Sequence, residues 1–566
     1  MINPDFFLFL EGVLIILALG LALLRPNALG KVFRPIESKL AAVARHKAVS
    51  IAISVALPLL FRALLLPAIG VPEPAIHEEF TYLLQSDTFA SGRLTNPPHP
   101  MQTHFETFQV VQRPTYASIR PPAQGLLLAL GQAIFGRPWI AVYLSIGAMC
   151  GAICWMLQAW LPPGWALLGG ILAGIRFGVF GFWMNSYWGG SLAAIGGAAV
   201  VGALPRILRR PRPIDAVFWA LGVAILFHTR PYEGLLISIP TGVVLLRRLL
   251  SSTAPPKGVV IGRLVLPAFL VLLSVGCWTC YYNWRVTGSP FYMPYRLGID
   301  TYTATPFFLW QTPVLTKIYH HGIMRKYYLG WELGTFRQMQ SLAGFVRIRG
   351  IEYGRLWLFY LRPAFTLPFL LIALTIRDRR TRTLLVIGLI FFAGLSVETW
   401  MAAYYAAPAT SLLLALLLQA MRHVRALRSG KDRVGQAVVR GIVVTCSVVF
   451  LAVGSAQVPR LRVAPDLPFA WCCQQNRMPE RVRIKKQLES MDGLQLAIVR
   501  YAPEHSEHLE WVYNAANIDG SKVVWAREMD AQHNARLLHY FKDRHAWLVE
   551  PDKQPAGLAE YPSKAP

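Results

Sequence analysis

The stretch from Ile76 to Gly125 decides the fold, because it is a polar interruption in a chain of apolar runs. It begins with Ile76-His77-Glu78-Glu79-Phe80-Thr81-Tyr82 and leads to Ser118-Ile119-Arg120-Pro121-Pro122. Two apolar runs precede it, and a long series of them follows. We therefore expect a loop that stands outside a bilayer, against the mouth of a helical bundle. Its acids, histidines, arginines and aromatic residues predict a site, since a simple connector would not need them.

The composition is that of a polytopic membrane protein. Of the 566 residues, 54% are hydrophobic and 15% are charged, whereas a soluble domain has about 25% charged residues. Apolar runs of roughly 16–24 residues recur, long enough or nearly so to cross hydrocarbon as helices. Backbone groups in lipid must bond internally, so these runs are predicted to be helical.

The net charge of +26 does not indicate a nucleic-acid partner, because of where the basic residues lie. They cluster in short connectors: 206–212, 247–248, 377–382 and 422–431. This is the positive-inside pattern of membrane proteins. Five of the seven cysteines fall in apolar runs and are interpreted as packing residues, while Cys472 and Cys473 are adjacent in the polar tail.

Topology follows from these connectors. The segment 123–135 is apolar but short, which is typical of an interfacial helix rather than a span. If it lies at the interface, every later basic connector is cytoplasmic, and both termini and the first loop are outside. We predict an all-α bundle of about twelve spans. Their approximate ranges are 6–24, 49–69, 138–160, 165–183, 189–205, 214–229, 233–246, 263–283, 355–376, 384–399, 403–420 and 438–456.

Six regions are predicted. They are two amino-terminal spans with a basic cytoplasmic linker (1–70), an exterior loop with an interfacial helix (71–136), a transmembrane bundle (137–284), a second exterior loop (285–354), the last spans (355–456) and a small exterior α/β domain (457–566). Within the second loop, 331–354 suits a surface-lying amphipathic helix. In the last region, 494–501, 522–527 and 545–550 are predicted strands and 530–541 a predicted helix.

Two acids and several exterior arginines are the candidate site residues. Glu78 and Glu79 follow a span closely, and an acid at the mouth of a membrane cavity is a functional candidate; solvated loop acids are an equal alternative. Guanidinium groups suit phosphate geometry, so the arginines predicted outside could hold a lipid-linked phosphate or could snorkel to headgroups. They are Arg113, Arg120, Arg137 and Arg230, and for Arg137 snorkelling is the preferred interpretation.

Two further features leave alternatives open. Arg230 and Glu233 share a short turn, where they form either a self-neutralising ion pair or a phosphate clamp. Histidines near Glu78 or Glu106 make a divalent metal an open alternative, although no tight ligand spacing is present. The histidines are His77, His99, His104, His320 and His321.

Several motifs together resemble those of the GT-C glycosyltransferases, which include protein O-mannosyltransferases and lipid A aminoarabinose transferases. Glu78-Glu79-Phe80-Thr81-Tyr82 resembles their acidic D-E-x-x-Y motif, with Glu in place of the first Asp. The other matches, in the family's order, are Arg120-Pro121-Pro122, Thr229-Arg230 before Gly234 with Arg in place of Lys, Asn283 with Gly288-Ser289-Pro290, and Tyr404-Tyr405-Ala406-Ala407-Pro408 with Tyr in place of His.

The resemblance implies a GT-C bundle that transfers a sugar from a polyprenyl-phosphate donor to an exterior acceptor hydroxyl, with inversion. The acceptor is a glycan, lipid or protein, and the location is the bacterial inner membrane. Glu78 is implied as the catalytic acid. Glu79, Tyr82 and Tyr404 are implied as supporting residues, and Arg113, Arg120 and Arg230 as ligands of the donor phosphate.

Two other classes of protein stay open as alternatives. A transporter or lipid flippase predicts charged residues buried in mid-span and broken helices in corresponding halves. We instead expect the charged residues mainly at span ends, and no internal repeat is evident in the sequence. A non-catalytic scaffold for the exterior domain gives no reason for a lipid-lined groove near Glu78.

Overall fold

The computed structural model describes residues 4–27, 30–252, 255–430, 432–456 and 478–562. In these ranges the chain forms a helical bundle, a layer of loops and short helices, and a small α/β domain packed on that layer. Cys472, Cys473 and the predicted start of the last region at 457 lie outside the described residues.

The α-helices are numbered in chain order. They are α1 Pro4–Leu24, α2 Gly30–Ala44, α3 Lys47–Leu64, α4 Leu66–Ile69, α5 His77–Ala90, α6 Pro122–Phe135, α7 Pro138–Trp160, α8 Pro163–Ala173, α9 Gly190–Arg209, α10 Pro213–Phe227, α11 Pro231–Leu249, α12 Lys257–Val260, α13 Leu266–Thr287, α14 Pro294–Tyr302, α15 Gly322–Arg325, α16 Leu333–Met339, α17 Leu342–Leu356, α18 Arg362–Leu370, α19 Arg379–Leu395, α20 Thr410–Arg425, α21 Val434–Ala456, α22 Pro479–Ser490 and α23 Ala531–Tyr540. The segment 123–135 forms a helix, α6, and its interfacial position stays a prediction.

Within the described ranges, eight helical segments are long and apolar enough to cross a membrane, which confirms a multi-pass, mainly helical membrane protein. They are Asp5–Leu24, Lys47–Leu64, Pro138–Trp160, Gly190–Arg209, Lys257–Thr287, Leu342–Thr375, Ala407–Arg425 and Val434–Ala456.

The predicted number of about twelve spans is not confirmed. Helices occupy the other four predicted spans, but α8, α10 and α19 have 11, 15 and 17 residues. The longer α11 carries Glu233, Arg247 and Arg248 at its ends, which shortens its apolar stretch. The predicted helix at 331–354 is divided between α16 and α17. α17 continues through a π-helical turn and is part of the candidate span Leu342–Thr375.

Glycine contacts fix the loop that precedes α20. A Cβ on Gly197 of α9 would lie 1.8 Å from the carbonyl oxygen of Pro408. A Cβ on Gly222 of α10 would lie 2.8 Å from the carbonyl oxygen of Gly196. Only glycine allows such approaches. The small residues of α9 therefore allow close helix packing, which brings the segment 404–408 against the bundle.

One ion network lies inside the bundle rather than at a span end. The Arg176 guanidinium donates to the Glu11 carboxylate at 2.7 Å, and Arg362 lies 3.6 Å from the same carboxylate. All three side chains are buried. The expectation that charged residues lie mainly at span ends is wrong here, because pairing allows charges to be buried. The network fastens the amino-terminal helix α1 to the rest of the bundle.

The α/β domain carries a four-stranded sheet of order β4-β3-β5-β6. β3 is parallel to β4 and β5, and β5 is antiparallel to β6. The three predicted strands and the predicted helix are confirmed, and the edge strand β6 was not predicted. The loop between α5 and α6 contains a small antiparallel hairpin, β1 and β2, whose strands have two residues each. The strands are β1 Val110–Val111, β2 Ala117–Ser118, β3 Leu494–Val499, β4 Val523–Arg527, β5 Arg544–Glu550 and β6 Gly557–Glu560.

Candidate active site

The two adjacent acids at the start of α5 point to different surroundings. Glu79 is buried and accepts from three backbone N–H groups, those of Ala75 at 2.9 Å, Ile76 at 3.2 Å and Tyr187 at 2.8 Å. An acid in the first turn also interacts favourably with the helix dipole. Burial raises the pKa of Glu79 to about 7, although the three N–H groups lower it. Glu79 therefore joins α5 to the bundle.

Glu79→Gln is expected to lower stability, because its amide presents a donor to a site that offers only donors. At least one buried N–H group then loses its partner, at a cost of about 1–3 kcal/mol. Thermal unfolding in detergent measures this loss of stability. Glu73→Gln is the control, because Glu73 lies in the segment that precedes α5 and is partly exposed. An unchanged melting temperature with lost activity would contradict the supporting role.

Glu78 faces the other way, into a polar triad. Its Oε1 accepts from the Arg120 Nη2 at 2.7 Å and from the Gln109 Nε2 at 3.2 Å. The Arg120 Nε donates to the Gln109 Oε1 at 2.9 Å, which closes the triad. The Glu78 side chain is 15% exposed, so a substrate can reach it.

Gln109 is a site residue that sequence reasoning missed. Its φ of +62° is unusual for a residue with a side chain, and such backbone strain is concentrated at functional sites. No motif points to a lone glutamine in a loop. The conformation depends on the fold of the loop around β1 and β2, which the sequence pattern does not reveal.

Charge pairing sets the ionisation of the triad. Burial alone would raise the pKa of Glu78, but Arg120, with smaller contributions from His77 and Gln109, lowers it below its ordinary value. Burial alone would lower the pKa of Arg120. Glu78, with smaller contributions from Tyr404, Tyr82 and Tyr405, more than offsets that effect, so the pKa lies above its ordinary value. The pair is therefore ionised at neutral pH, with carboxylate and guanidinium in contact.

Arg230 lies in the same cluster, immediately before α11. Its Nη1 donates to Glu233 at 3.3 Å, and its guanidinium lies 3.9 and 4.0 Å from the ring centres of Tyr404 and Tyr405. Its Nη2 is buried with no hydrogen-bond partner among the described residues. The ion pair with Glu233 is thus present, and one nitrogen is left for a ligand.

Shared neighbours place Arg120 and Arg230 together. The hydroxyls of Tyr82, Tyr404 and Tyr405 interact electrostatically with both arginines. Tyr82 and Tyr404 are buried, and Tyr404 also packs on Trp188 at 4.0 Å between ring centres. The cluster comprises Glu78, Gln109, Arg120, Arg230 and these tyrosines.

Not every predicted residue joins the cluster. Arg113 is exposed and donates to Gln102 at 3.1 Å, apart from the triad. Arg137 is also exposed, at the start of α7. Arg113 and Arg120 belong to the same loop, but the β1–β2 hairpin turns Arg113 to the surface, away from Glu78.

The histidines considered as metal ligands have other partners. His77 contacts the Tyr513 hydroxyl at 2.9 Å and the Glu507 carbonyl at 3.0 Å. His320 contacts Glu106 at 2.9 Å. Among the described residues, no group of three or more His, Cys, Asp or Glu side chains is arranged to hold a metal ion.

The α/β domain covers α5. Tyr513 stacks on Phe80 with 4.4 Å between ring centres, and Arg481 lies 4.6 Å from the centre of the same ring. The backbone N–H of Ala516 donates to Asp87 at 2.7 Å. Together with the contacts of His77, these interactions hold the helix that carries Glu78 from the side opposite the bundle.

The chain has the fold of the GT-C membrane glycosyltransferases, as the sequence motifs predicted. It is similar to the crystal structure of the Archaeoglobus fulgidus oligosaccharyltransferase in the apo form, with a TM-score of 0.50 and 9% identity, over 89% of this chain and 69% of that chain. ArnT from Cupriavidus metallidurans bound to undecaprenyl phosphate gives a TM-score of 0.46 and 12% identity, over 88% of this chain and 92% of that chain. No protein-family profile and no curated protein matches the sequence.

Proposed function

We propose that the protein is an integral-membrane glycosyltransferase that moves a sugar from a polyprenyl phosphate to an acceptor hydroxyl, on the exterior side of a bacterial inner membrane. The observation that supports this best is the pairing of a reachable carboxylate, Glu78, with two clustered guanidinium groups, Arg120 and Arg230. A carboxylate can take the proton of an acceptor hydroxyl. Guanidinium groups bind phosphate through charge-assisted hydrogen bonds.

The donor phosphate is assigned to the two arginines. Arg230 offers a buried nitrogen that has no hydrogen-bond partner among the residues the structure describes, and its guanidinium lies against two tyrosine rings, which holds it in place. These features favour the clamp interpretation over an ion pair that only neutralises itself. Arg230→Lys would keep the charge and lose the planar fork.

A place for the lipid chain lies next to Arg230. An apolar groove of about 550 Å³ runs between α11 and α19, and it begins at Leu235, little more than one helical turn after Arg230. Its walls are aliphatic side chains down to arginines at the far end, Arg247, Arg379 and Arg382. A polyprenyl chain with its phosphate at Arg230 would bury apolar surface there.

The transfer step follows from this placement. The acceptor oxygen attacks the anomeric carbon from the face opposite the phosphate, and its proton passes to Glu78. The bond between the anomeric carbon and the phosphate oxygen breaks, and its electron pair leaves with polyprenyl phosphate. One displacement inverts the configuration. Arg120 and Arg230 stabilise the departing charge, which is often the largest catalytic contribution.

Donor binding would also activate the base. In the free protein Arg120 holds the pKa of Glu78 below its ordinary value, which makes the carboxylate a weak base. A phosphate that takes hydrogen bonds from Arg120 shares that positive charge. The pKa of Glu78 then rises towards the working pH, where a general base is most effective.

The direct test is recovery of the transferred sugar. Purified protein in detergent is incubated with polyprenyl-phosphate sugars and an extract of membrane lipids and glycans, and mass spectrometry follows the products. We expect free polyprenyl phosphate and a glycosylated acceptor in equal amounts. In a parallel assay with the protein reconstituted in vesicles, intact lipid-linked sugar that has moved between the leaflets would instead indicate the flippase alternative.

A further inference from the structure

A second acid, Glu332, is buried near the Glu78 triad. It is the last residue of a π-helical segment, Lys326–Glu332, and such segments are frequent at functional sites. The residue is 8% exposed, and its Oε2 has no hydrogen-bond partner among the described residues. A buried carboxyl oxygen left without a partner indicates a missing ligand more strongly than a packing role.

The π-helical segment packs against the triad. The Tyr327 ring lies 5.6 Å from the ring of His77, the residue before Glu78. The Tyr328 hydroxyl oxygen accepts from the backbone N–H of Gln109, whose side chain bridges Glu78 and Arg120. The segment therefore presents Glu332 to the same site from the second exterior loop.

The charges around Glu332 decide its protonation. Burial raises the pKa of Glu332 to about 8, while Arg120 lowers it and Glu78 raises it. The other titratable groups that interact with it are tyrosines of its own loop, Tyr319, Tyr327 and Tyr328. The carboxyl therefore carries its proton at neutral pH, beside a Glu78 that does not.

We propose that Glu332 is a third phosphate-binding group, a neutral carboxyl whose O–H donates a hydrogen bond to an oxygen of the lipid-linked phosphate. This rests on the proposed function. A neutral donor can approach an anion next to Glu78, whereas an ionised carboxylate would repel both. The proton stays on Glu332 during transfer, because Glu78 receives the acceptor proton and the phosphate leaves with its electron pair.

The test measures binding of a C55 polyprenyl phosphate in detergent from pH 6.5 to 9.5. For the wild type, loss of the Glu332 proton lowers affinity about tenfold between pH 7 and pH 9, since the protonated fraction falls by that factor around a pKa of about 8. Glu332→Gln keeps a neutral donor, so its affinity stays within about threefold over this range. Glu332→Ala binds more weakly than the wild type at pH 7 and shows no fall in affinity between pH 7 and pH 9, because it has neither the donor nor the titrating group.

A control and an independent readout separate the outcomes. Glu106→Gln changes a buried exterior glutamate that pairs with His320, and the alkaline fall should persist in it. Infrared difference spectra should show a protonated carboxyl band that is absent from Glu332→Gln and that disappears from the wild type above about pH 8. Because Glu79 has a pKa of about 7 and titrates in the same range, the band is assigned to Glu332 only by its absence from the variant. Glu332→Ala serves the same comparison when Glu332→Gln does not fold.

Three outcomes would overturn the proposal. If the affinity of Glu332→Gln falls with pH as much as that of the wild type, Glu332 is not the phosphate-binding group. The same conclusion follows if the wild type shows no infrared band of a protonated carboxyl at pH 7. Neither result contradicts the proposed function. Wild-type protein that binds no polyprenyl phosphate at any pH removes the proposed function as well.

Discussion

Glu78→Gln is expected to reduce sugar transfer by about 10²–10⁴-fold, the usual contribution of a general base. The amide oxygen can still accept from Arg120, so the geometry of the triad is largely kept, but the acceptor proton has no base. The variant also leaves the Arg120 charge without its carboxylate partner. A donor phosphate should therefore bind at least as tightly as in the wild type, and it should raise the melting temperature more.

The measurements are transfer from a polyprenyl-phosphate sugar and melting curves with and without polyprenyl phosphate. Glu78→Asp is the matched control, because it keeps a base with a reach shorter by one methylene, and partial activity is expected. Full activity in Glu78→Gln would remove the proposed base. Lost donor binding together with lost transfer would show that Glu78 organises the phosphate site rather than the proton transfer.

Arg230→Gln is expected to lower kcat/KM by about 10²–10³-fold, the typical effect of removing one group that stabilises developing charge. The substitution removes the nitrogen that has no partner in the described part of the chain, and it removes the cation–π contacts with Tyr404 and Tyr405. It also leaves Glu233 buried without its cation. Arg230→Lys should retain part of the activity, because charge survives without the planar fork.

Arg296→Gln is the control for Arg230, since Arg296 is paired with Asp300 at 3.0 Å on the protein surface. It should leave kcat/KM within about twofold, as surface ion pairs contribute little. Melting curves identify a loss that is only structural. Equal activities of Arg230→Gln and wild type would place the donor phosphate elsewhere.

Local sequence predicted one part of the site and missed another for a physical reason. Glu78, Glu79 and Arg120 belong to one loop with recognisable neighbours, so their separation into a reachable acid, a buried acid and a cation could be anticipated. Gln109 reaches the site through a left-handed backbone conformation. Glu332 reaches it through a π-helical segment of another loop. Neither conformation leaves a periodic pattern in the sequence.

The fold shows the same division. Long apolar runs predicted a helix at every expected span, because backbone N–H and C=O groups in lipid must form hydrogen bonds within the segment. The number of crossings was not predictable in the same way, since segments such as α8 end early in a π-helical turn at Gly174–Gly178. The strands β3, β4 and β5 were predictable from alternation and turn residues, whereas β6 is a short edge strand of mixed composition.

The contact of His77 with Tyr513 has a consequence in time as well as in space. The two residues are 436 positions apart, so α5 leaves the ribosome long before the residues that hold it from outside. At about 5–20 residues per second the delay is roughly 20–90 s. During that time α5 lacks its contacts with the α/β domain. The surroundings of Glu78 are completed only when the last region has folded, so a chain that stalls during translation has no finished site.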